Sequence, residues 1–321
     1  MQGAGNGAAR ITAHQTRRVA VMAGLSAVAI SWFFVTSSSS FALQQVFRSG
    51  VDLTTFGVTV TDRKGNVVPG LTRDDFSVVE DGTPQSLEYF AQGDGEAAPP
   101  MHLGLMIDAS GSMQQDMKLA QGAAIKFLNM LPAAQDITLV DFDTQVRVTR
   151  YPQRDFPRLV ERIRQRKADG FTALYDALGT YLDGADAREG RTVMVMYTDG
   201  GDTRSALTLT DTLTLLKASN VTVYAIGLVQ NAGSARHQLQ MTLRQLVEPT
   251  GGEAFFPTAM KDVESAYDKV LAEIRGQYHL GYVSTNKMMD GAWRKVEIKT
   301  KRSDLRVRAR KGYYGPYKPP S

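Results

Sequence analysis

Cysteine is absent from the 321 residues, which excludes disulfides, thiol nucleophiles and cysteine-ligated zinc or iron–sulfur centres together. Histidine is scarce, with four residues, and no His-Glu-x-x-His pair occurs. Neither a Gly-x-Ser-x-Gly elbow nor a Walker phosphate loop is present, so zinc hydrolysis, a serine-hydrolase nucleophile and nucleotide binding lack their usual signatures. There is no short repeat, and the only low-complexity tract is Ser37 to Ser40. Hydrophobic residues at 43% and charged residues at 22% are ordinary for folded proteins and argue against disorder or a multi-span membrane protein. The length suits a leader plus roughly two domains.

One long apolar run is present. Arg17 and Arg18 precede Val19 to Val35, which is followed by Thr-Ser-Ser-Ser-Ser-Phe-Ala. This reads as a secretory signal cleaved after Ala42, with Ser40 and Ala42 as the small residues. The run also sits at the lower limit of about 17 residues for spanning a bilayer, so an uncleaved anchor is the alternative. Thr16-Arg17-Arg18 permits a twin-arginine route. In each case the remainder is expected outside the cytoplasm, secreted or in the periplasm or cell envelope.

Much of the basic excess disappears with that leader. Residues 1–42 hold Arg10, Arg17 and Arg18 and no acid, leaving 34 basic and 33 acidic residues beyond it. What remains is an asymmetry: residues 287–318 carry 11 basic and 3 acidic residues, whereas 43–286 carry 23 and 30. The row Arg306, Arg308, Arg310 reads as a guard on an exposed strand. Without interleaved aromatic platforms it does not predict nucleic-acid binding.

Four regions are expected: a signal at 1–42, strands at 43–98, an α/β domain at 99–277, and further strands at 278–321. Phe56, Val58 and Val60 alternate with polar or small residues, and Asp62 to Asn66 supply turn chemistry. Short strands at Val67-Val68, Phe76 to Val79 and Leu87 to Phe90 continue the rhythm. Val296 with Ile298, and Leu305 with Val307 and Ala309, repeat it near the other end. Too few strands stand in either segment to bury a core alone, which predicts one β-sandwich completed by both. Tyr278, Tyr282, Tyr313 and Tyr314 are expected to pack it against the α/β domain.

Between them, apolar runs alternate with helical ones. Leu103 to Ile107, Ile137 to Phe142, Thr192 to Tyr197 and Val221 to Val229 read as buried strands. Lys118 to Leu131, Phe156 to Arg166, Ala173 to Leu182, Leu207 to Ala218, Gln238 to Val247 and Asp262 to Ile274 read as helices. The predicted fold is a doubly wound, mostly parallel sheet with helices on both faces.

Three segments carry chemistry. Asp108-Ala109-Ser110-Gly111-Ser112 follows one buried strand, Thr198-Asp199-Gly200 follows another, and Gly170-Phe171-Thr172 leads into a helix. On parallel neighbours all three meet at the carboxyl edge of the sheet, where open α/β sheets bind ligands. Two carboxylates and three hydroxyls form an oxygen-only set suited to a hard cation and ill suited to zinc or copper. A helix start after Ser112 would also favour an incoming anion. Asp141, Asp143 and Asp202 read as solvated acids.

Asp108-x-Ser110-x-Ser112 with Thr172 and Asp199 resembles the metal-ion-dependent adhesion site (MIDAS) of the von Willebrand factor type A (VWFA) family. The resemblance implies Mg²⁺, or Mn²⁺, and capture of a protein partner's Asp or Glu carboxylate. It implies direct coordination by Ser110 and Ser112, a Thr172 that coordinates or moves closer on ligand binding, and Asp108 and Asp199 acting directly or through water. Val60-Thr61-Asp62, Gly70-Leu71-Thr72, Asp75-Phe76, Glu80-Asp81-Gly82, Gly251-Gly252, Tyr278 to Tyr282 and Arg310 to Tyr313 are similar to the bacterial VWFA-related, acidobacterial-type group.

The resulting expectation is an exported, non-enzymatic adhesion or scaffolding protein. It meets a membrane only through an uncleaved N-terminal anchor. The alternatives are a structural module whose metal site is self-filled or vestigial and, further off, a hydrolase using Ser110, Ser112 or Asp108. A serine nucleophile needs a nearby base, yet His102 lies six residues before Asp108 on one strand, about 20 Å away.

Overall fold

Alternation and turn chemistry produce four strands first: β1 (Leu53–Thr61), β2 (Phe76–Glu80), β3 (Thr83–Gln85) and β4 (Leu87–Gln92). The computed structural model describes residues 53–319 apart from 94, 96, 132, 133, 186 and 187. The signal reading at 1–42 lies outside the described residues. After β4 come β5 (Met101–Asp108), α1 (Met117–Met130), β6 (Asp136–Phe142), β7 (Val146–Pro152), α2 (Phe156–Gln165), α3 (Leu174–Ala185) and β8 (Arg191–Thr198). Next are α4 (Leu209–Ala218), β9 (Val221–Gly227), α5 (Arg236–Val247), β10 (Ala254–Phe255) and α6 (Met260–Gly276). The chain ends in β11 (Tyr278–Val283), β12 (Trp293–Thr300), β13 (Arg306–Arg308) and β14 (Gly312–Tyr314).

The central six-stranded sheet has the order β10-β9-β8-β5-β6-β7, parallel except for β7. Every residue of β5, β6, β8 and β9 is buried, as their unbroken apolar character requires of a sheet covered on both faces. Side chains alternate between two cores. Leu103, Leu105, Val193 and Val195 meet α1, α2 and α6 through Phe127, Ile163 and Val270. Met106, Met194, Met196 and Val223 meet α3, α4 and α5 through Leu178, Leu216 and Leu246. Each such aliphatic side chain contributes about 1.5–3 kcal/mol on burial. The α4 start is fixed by a reciprocal cap, Asp211 N to Thr208 Oγ1 (3.2 Å) and Thr208 N to Asp211 Oδ2 (3.0 Å). Space between layers is exhausted in places: a Cβ on Gly252 would come 1.8 Å from the Val223 carbonyl oxygen.

The two ends of the chain form antiparallel sheets, β13-β1-β11-β4 and β14-β12-β2-β3. Phe56, Val58 and Val60 point inward with Phe76, Val78, Leu280 and Val296. The described residues form one compact unit that contains all three cores. The sandwich lies at the amino-terminal edge of the parallel sheet, where Arg191 at the head of β8 donates to the Ile274 carbonyl (2.9 Å) and lies 3.3 Å from His279 Nε2. Burial, then the Arg191 charge, push the His279 pKa down to about 3, so its ring is neutral there.

The aromatic and arginine expectations need correction. Tyr278, Tyr282 and Tyr313 belong to the sandwich core, and Tyr314 is exposed. Arg308 pairs with Glu253 and Glu273. Arg310 lies 4.5 Å over the Phe56 ring and donates to the Thr55 carbonyl (2.9 Å). These two arginines are held by internal partners; an alternating pattern shows which side chains share a face but not what covers that face. Val67 makes one isolated bridge to Thr61 in place of a strand. Strand β7 was not foreseen: Val146 and Val148 alternate with Arg147 and Thr149, but Arg150 interrupts the apolar face after those two residues. Among the described residues no helix is long and apolar enough to cross a membrane.

Candidate functional site

Parallel pairing of β5 with β8 brings two loop starts together. Asp108, the last residue of β5, is fully buried. Its Oδ1 accepts from Ser110 N (2.9 Å) and its Oδ2 from Thr198 Oγ1 (2.6 Å), and Thr198 Oγ1 also accepts from Gly200 N (3.0 Å). Thr198 therefore orients the carboxylate of one strand from the end of the next. Ser110 is buried and Ser112 exposed, with their hydroxyl oxygens 3.0 Å apart. Asp199 accepts from Gly201 N (2.8 Å), while Gly200, at φ +83°, takes the turn that an L side chain disfavours.

The Thr172 segment is stitched to both loops. Asp169 N donates to the Ala109 carbonyl (2.9 Å) and Gly111 N to the Gly170 carbonyl (3.0 Å). Thr172 N donates to Thr203 Oγ1 (3.0 Å), and the Thr172 carbonyl accepts from Thr203 N (2.9 Å) and Arg204 N (3.0 Å). Phe171 N donates to Thr144 Oγ1 (2.9 Å), leaving the Phe171 ring 62% exposed beside the cluster. All five expected residues thus lie on loops joined at one sheet edge. Thr198, Thr203 and Thr144 were not singled out from the sequence; only the position of Thr198, one residue before Asp199 at a strand end, hinted at its role.

Electrostatics give the cluster its character. Burial pushes the Asp108 carboxyl up to about 6, hydrogen bonds from Ser110 and Thr198 oppose that rise, and the Asp199 charge adds to it. No ion pair to Asp108 or Asp199 exists among the described residues. Two neighbouring carboxylates with no ion pair among the described residues, the Ser110 and Thr198 hydroxyls at Asp108 and the Ser112 hydroxyl 3.0 Å from that of Ser110, fit a hard divalent cation. Among the described residues no three acidic or histidine side chains gather around one point, so the oxygen set relies on Ser110, Ser112 and Thr172.

Other expected features are placed differently. Asp141 and Asp143 are buried rather than solvated: Arg166 pairs with both, Arg162 with Asp141 (3.3 Å) and Arg147 with Asp143 (3.2 Å). Asp202 accepts from Ser205 Oγ (2.6 Å) and Tyr175 N (3.2 Å), holding the start of α3. A short 3-10 turn, Gly111–Gln114, follows Ser110, and α1 begins only at Met117; the helix end expected directly after Ser112 is absent. His102 lies 2.9 Å from Asp136 and 3.0 Å from the Glu189 carbonyl, at the opposite end of β5 from Asp108. His237 is exposed on α5.

A doubly wound α/β domain with an oxygen-lined cluster at its carboxyl edge defines the class. Residues 102–269 match the profile of the von Willebrand factor type A domain, and the chain belongs to that family. The domain is a protein-interaction module, and the coarse role is protein binding. Similar solved structures include a von Willebrand factor type A protein from Catenulispora acidiphila (14% identity, 84% of this chain and 75% of that one, TM-score 0.46). Another is the vWF domain of the type V pili tip protein Mfa5 from Porphyromonas gingivalis (14%, 55% and 95%, 0.46). A third is the ArnB paralog VWA2 from Sulfolobus acidocaldarius (14%, 81% and 75%, 0.41). No curated protein matches the sequence.

Proposed function

We propose that this chain is an exported, non-enzymatic adhesion or scaffolding protein that binds its partner through a divalent cation, Mg²⁺ or Mn²⁺, held by Asp108, Ser110, Ser112, Thr172 and Asp199. The observation that carries this reading is a buried carboxylate beside a second one, with no ion pair to either among the described residues and with Ser110, Ser112 and Thr172 on the loops that hold them. A bound cation would supply the positive charge that an Asp or Glu of a partner seeks. The protein's own part is to hold the oxygens in place: Thr198 fixes Asp108, Gly201 N fixes Asp199, and Thr203 fixes the Thr172 backbone. Export rests on the leader at residues 1–42, which places the protein in the periplasm, the cell envelope or the medium.

The test is thermal unfolding of residues 45–321 in Mg²⁺, Mn²⁺ and EDTA. A cation at 100 times its dissociation constant adds about 2.7 kcal/mol. Asp108→Ala and Ser110→Ala should remove that rise while keeping the far-UV circular dichroism. A rise of the same size in both variants would refute the assignment, and no rise in the parent protein would favour the structural-module alternative.

A further inference from the structure

Nine large apolar side chains are exposed among the described residues, and five of them, Met288, Met289, Trp293, Tyr314 and Tyr317, gather at one end of the sandwich. Trp293 and Tyr314 are register partners across β12 and β14, their rings 5.1 Å apart at 71°. The loop before β12 is zipped to the C-terminal segment by Gly291 N to the Pro316 carbonyl (3.0 Å) and Lys318 N to the Met289 carbonyl (3.1 Å). From below, buried Arg294 donates to the carbonyls of Asn286 (2.9 Å) and Met288 (2.5 Å). The backbone is pinned inward, so the Met, Trp and Tyr side chains are displayed outward on a built surface.

Two further observations say what covers it. The patch is edged by exposed Lys287 and Lys318, against Asp290, while Lys295 and Lys311 beside it pair with Glu297 and Glu248. The chain also enters the described structure at this end: Leu53 pairs with Val283, and the next residue, Ser284, accepts a hydrogen bond from Arg294, the neighbour of Trp293. The sequence before Leu53 contains the apolar run Val19 to Val35, which stays attached to the sandwich in the uncleaved-anchor reading on which this inference rests. Tryptophan and tyrosine suit the headgroup layer, where an apolar ring and a polar tip are both satisfied, and lysines add attraction to anionic lipid.

We propose that this patch seats the sandwich on the surface of a bilayer containing anionic lipids. A second copy of the chain would bring the same lysines face to face, whereas anionic headgroups complement them. The seat is independent of the cation site.

Full-length chain carrying Trp32→Phe keeps Trp293 as its only tryptophan. Reconstituted in phosphatidylcholine vesicles with phosphatidylglycerol, its emission should shift to the blue. A nitroxide at the headgroup should quench it more than one deep in the acyl chains. Adding Met288→Ser and Tyr317→Ser, both exposed positions, should reduce the quenching roughly tenfold with unchanged circular dichroism. Equal access of iodide to Trp293 in vesicles and in detergent micelles overturns the proposal. Protection of Trp293 that grows with protein concentration in micelles, without vesicles, assigns the patch to a second copy and overturns it as well.

Discussion

Replacing Glu80 by glutamine should cost far more than its single lost charge suggests. Glu80 is 2% exposed, and its carboxylate accepts from Ser284 Oγ (2.6 Å), Tyr282 OH (2.7 Å) and Tyr313 OH (2.8 Å), with Arg294 Nη1 at 3.8 Å. Arg294 is equally buried, so Glu80→Gln strands a guanidinium in the sandwich core. Breaking a buried ion pair from one side costs about 3–5 kcal/mol. Because the partners come from β2, β11, β12 and β14, the loss should fall on the closure of the sandwich by both chain ends. The double variant Glu80→Gln with Arg294→Met removes the stranded charge and should recover part of that loss.

The pH dependence has a definite sign. Burial alone would raise the Glu80 pKa, but the hydrogen bonds from Ser284, Tyr282 and Tyr313 and the Arg294 charge outweigh it and hold the carboxyl below its ordinary 4.5. Its contribution is therefore present above pH 4.5 and is lost as the pH falls below that value. Urea unfolding followed by tryptophan emission and by far-UV circular dichroism, at pH 7 and at pH 4, measures both effects. A loss under about 1 kcal/mol at pH 7, or an acid dependence identical to that of the parent, would refute the reasoning.

Thr198→Val removes the hydroxyl that donates to Asp108 and accepts from Gly200 N; it should cost about 1–3 kcal/mol and weaken the Mg²⁺-dependent rise in melting temperature. Gly252→Ala drives a Cβ into the Val223 carbonyl and should destabilise by about 3 kcal/mol or more. Gly122→Ala, on the exposed side of α1 with nothing within 4 Å of the new Cβ, should instead stabilise by about 0.5–1 kcal/mol; chemical denaturation of both distinguishes a packing limit from a propensity effect. Arg308→Met leaves Glu273 without its partner in a buried position and should lower stability by about 3 kcal/mol, read as a shift in denaturation midpoint.

Periodicity was enough to place every helix from α1 to α6 and the four buried parallel strands, because burial on two faces leaves runs of apolar residues that no polar pattern interrupts. It was also enough to predict that the first and last strands complete one sandwich, since neither set could bury a core alone. Asp108-x-Ser110-x-Ser112 after one strand and Asp199 after another fall at a common edge because parallel strands deliver their loops there, while Thr172, between α2 and α3, is brought to it by backbone hydrogen bonds to both loops.

Tertiary structure alone decided what each side chain meets. Asp141 and Asp143 look solvated in sequence, yet three arginines from β7, α2 and the loop after it enclose them. Arg308 and Arg310 look like guards on a wet strand, yet one grips two glutamates and the other lies over Phe56. The orienting hydroxyl of Thr198 and the gathering of Met288, Trp293 and Tyr317 at the entry end of the sandwich were equally invisible. Sequence patterns record which residues share a face; contacts across faces depend on how layers stack, and that depends on the whole chain at once.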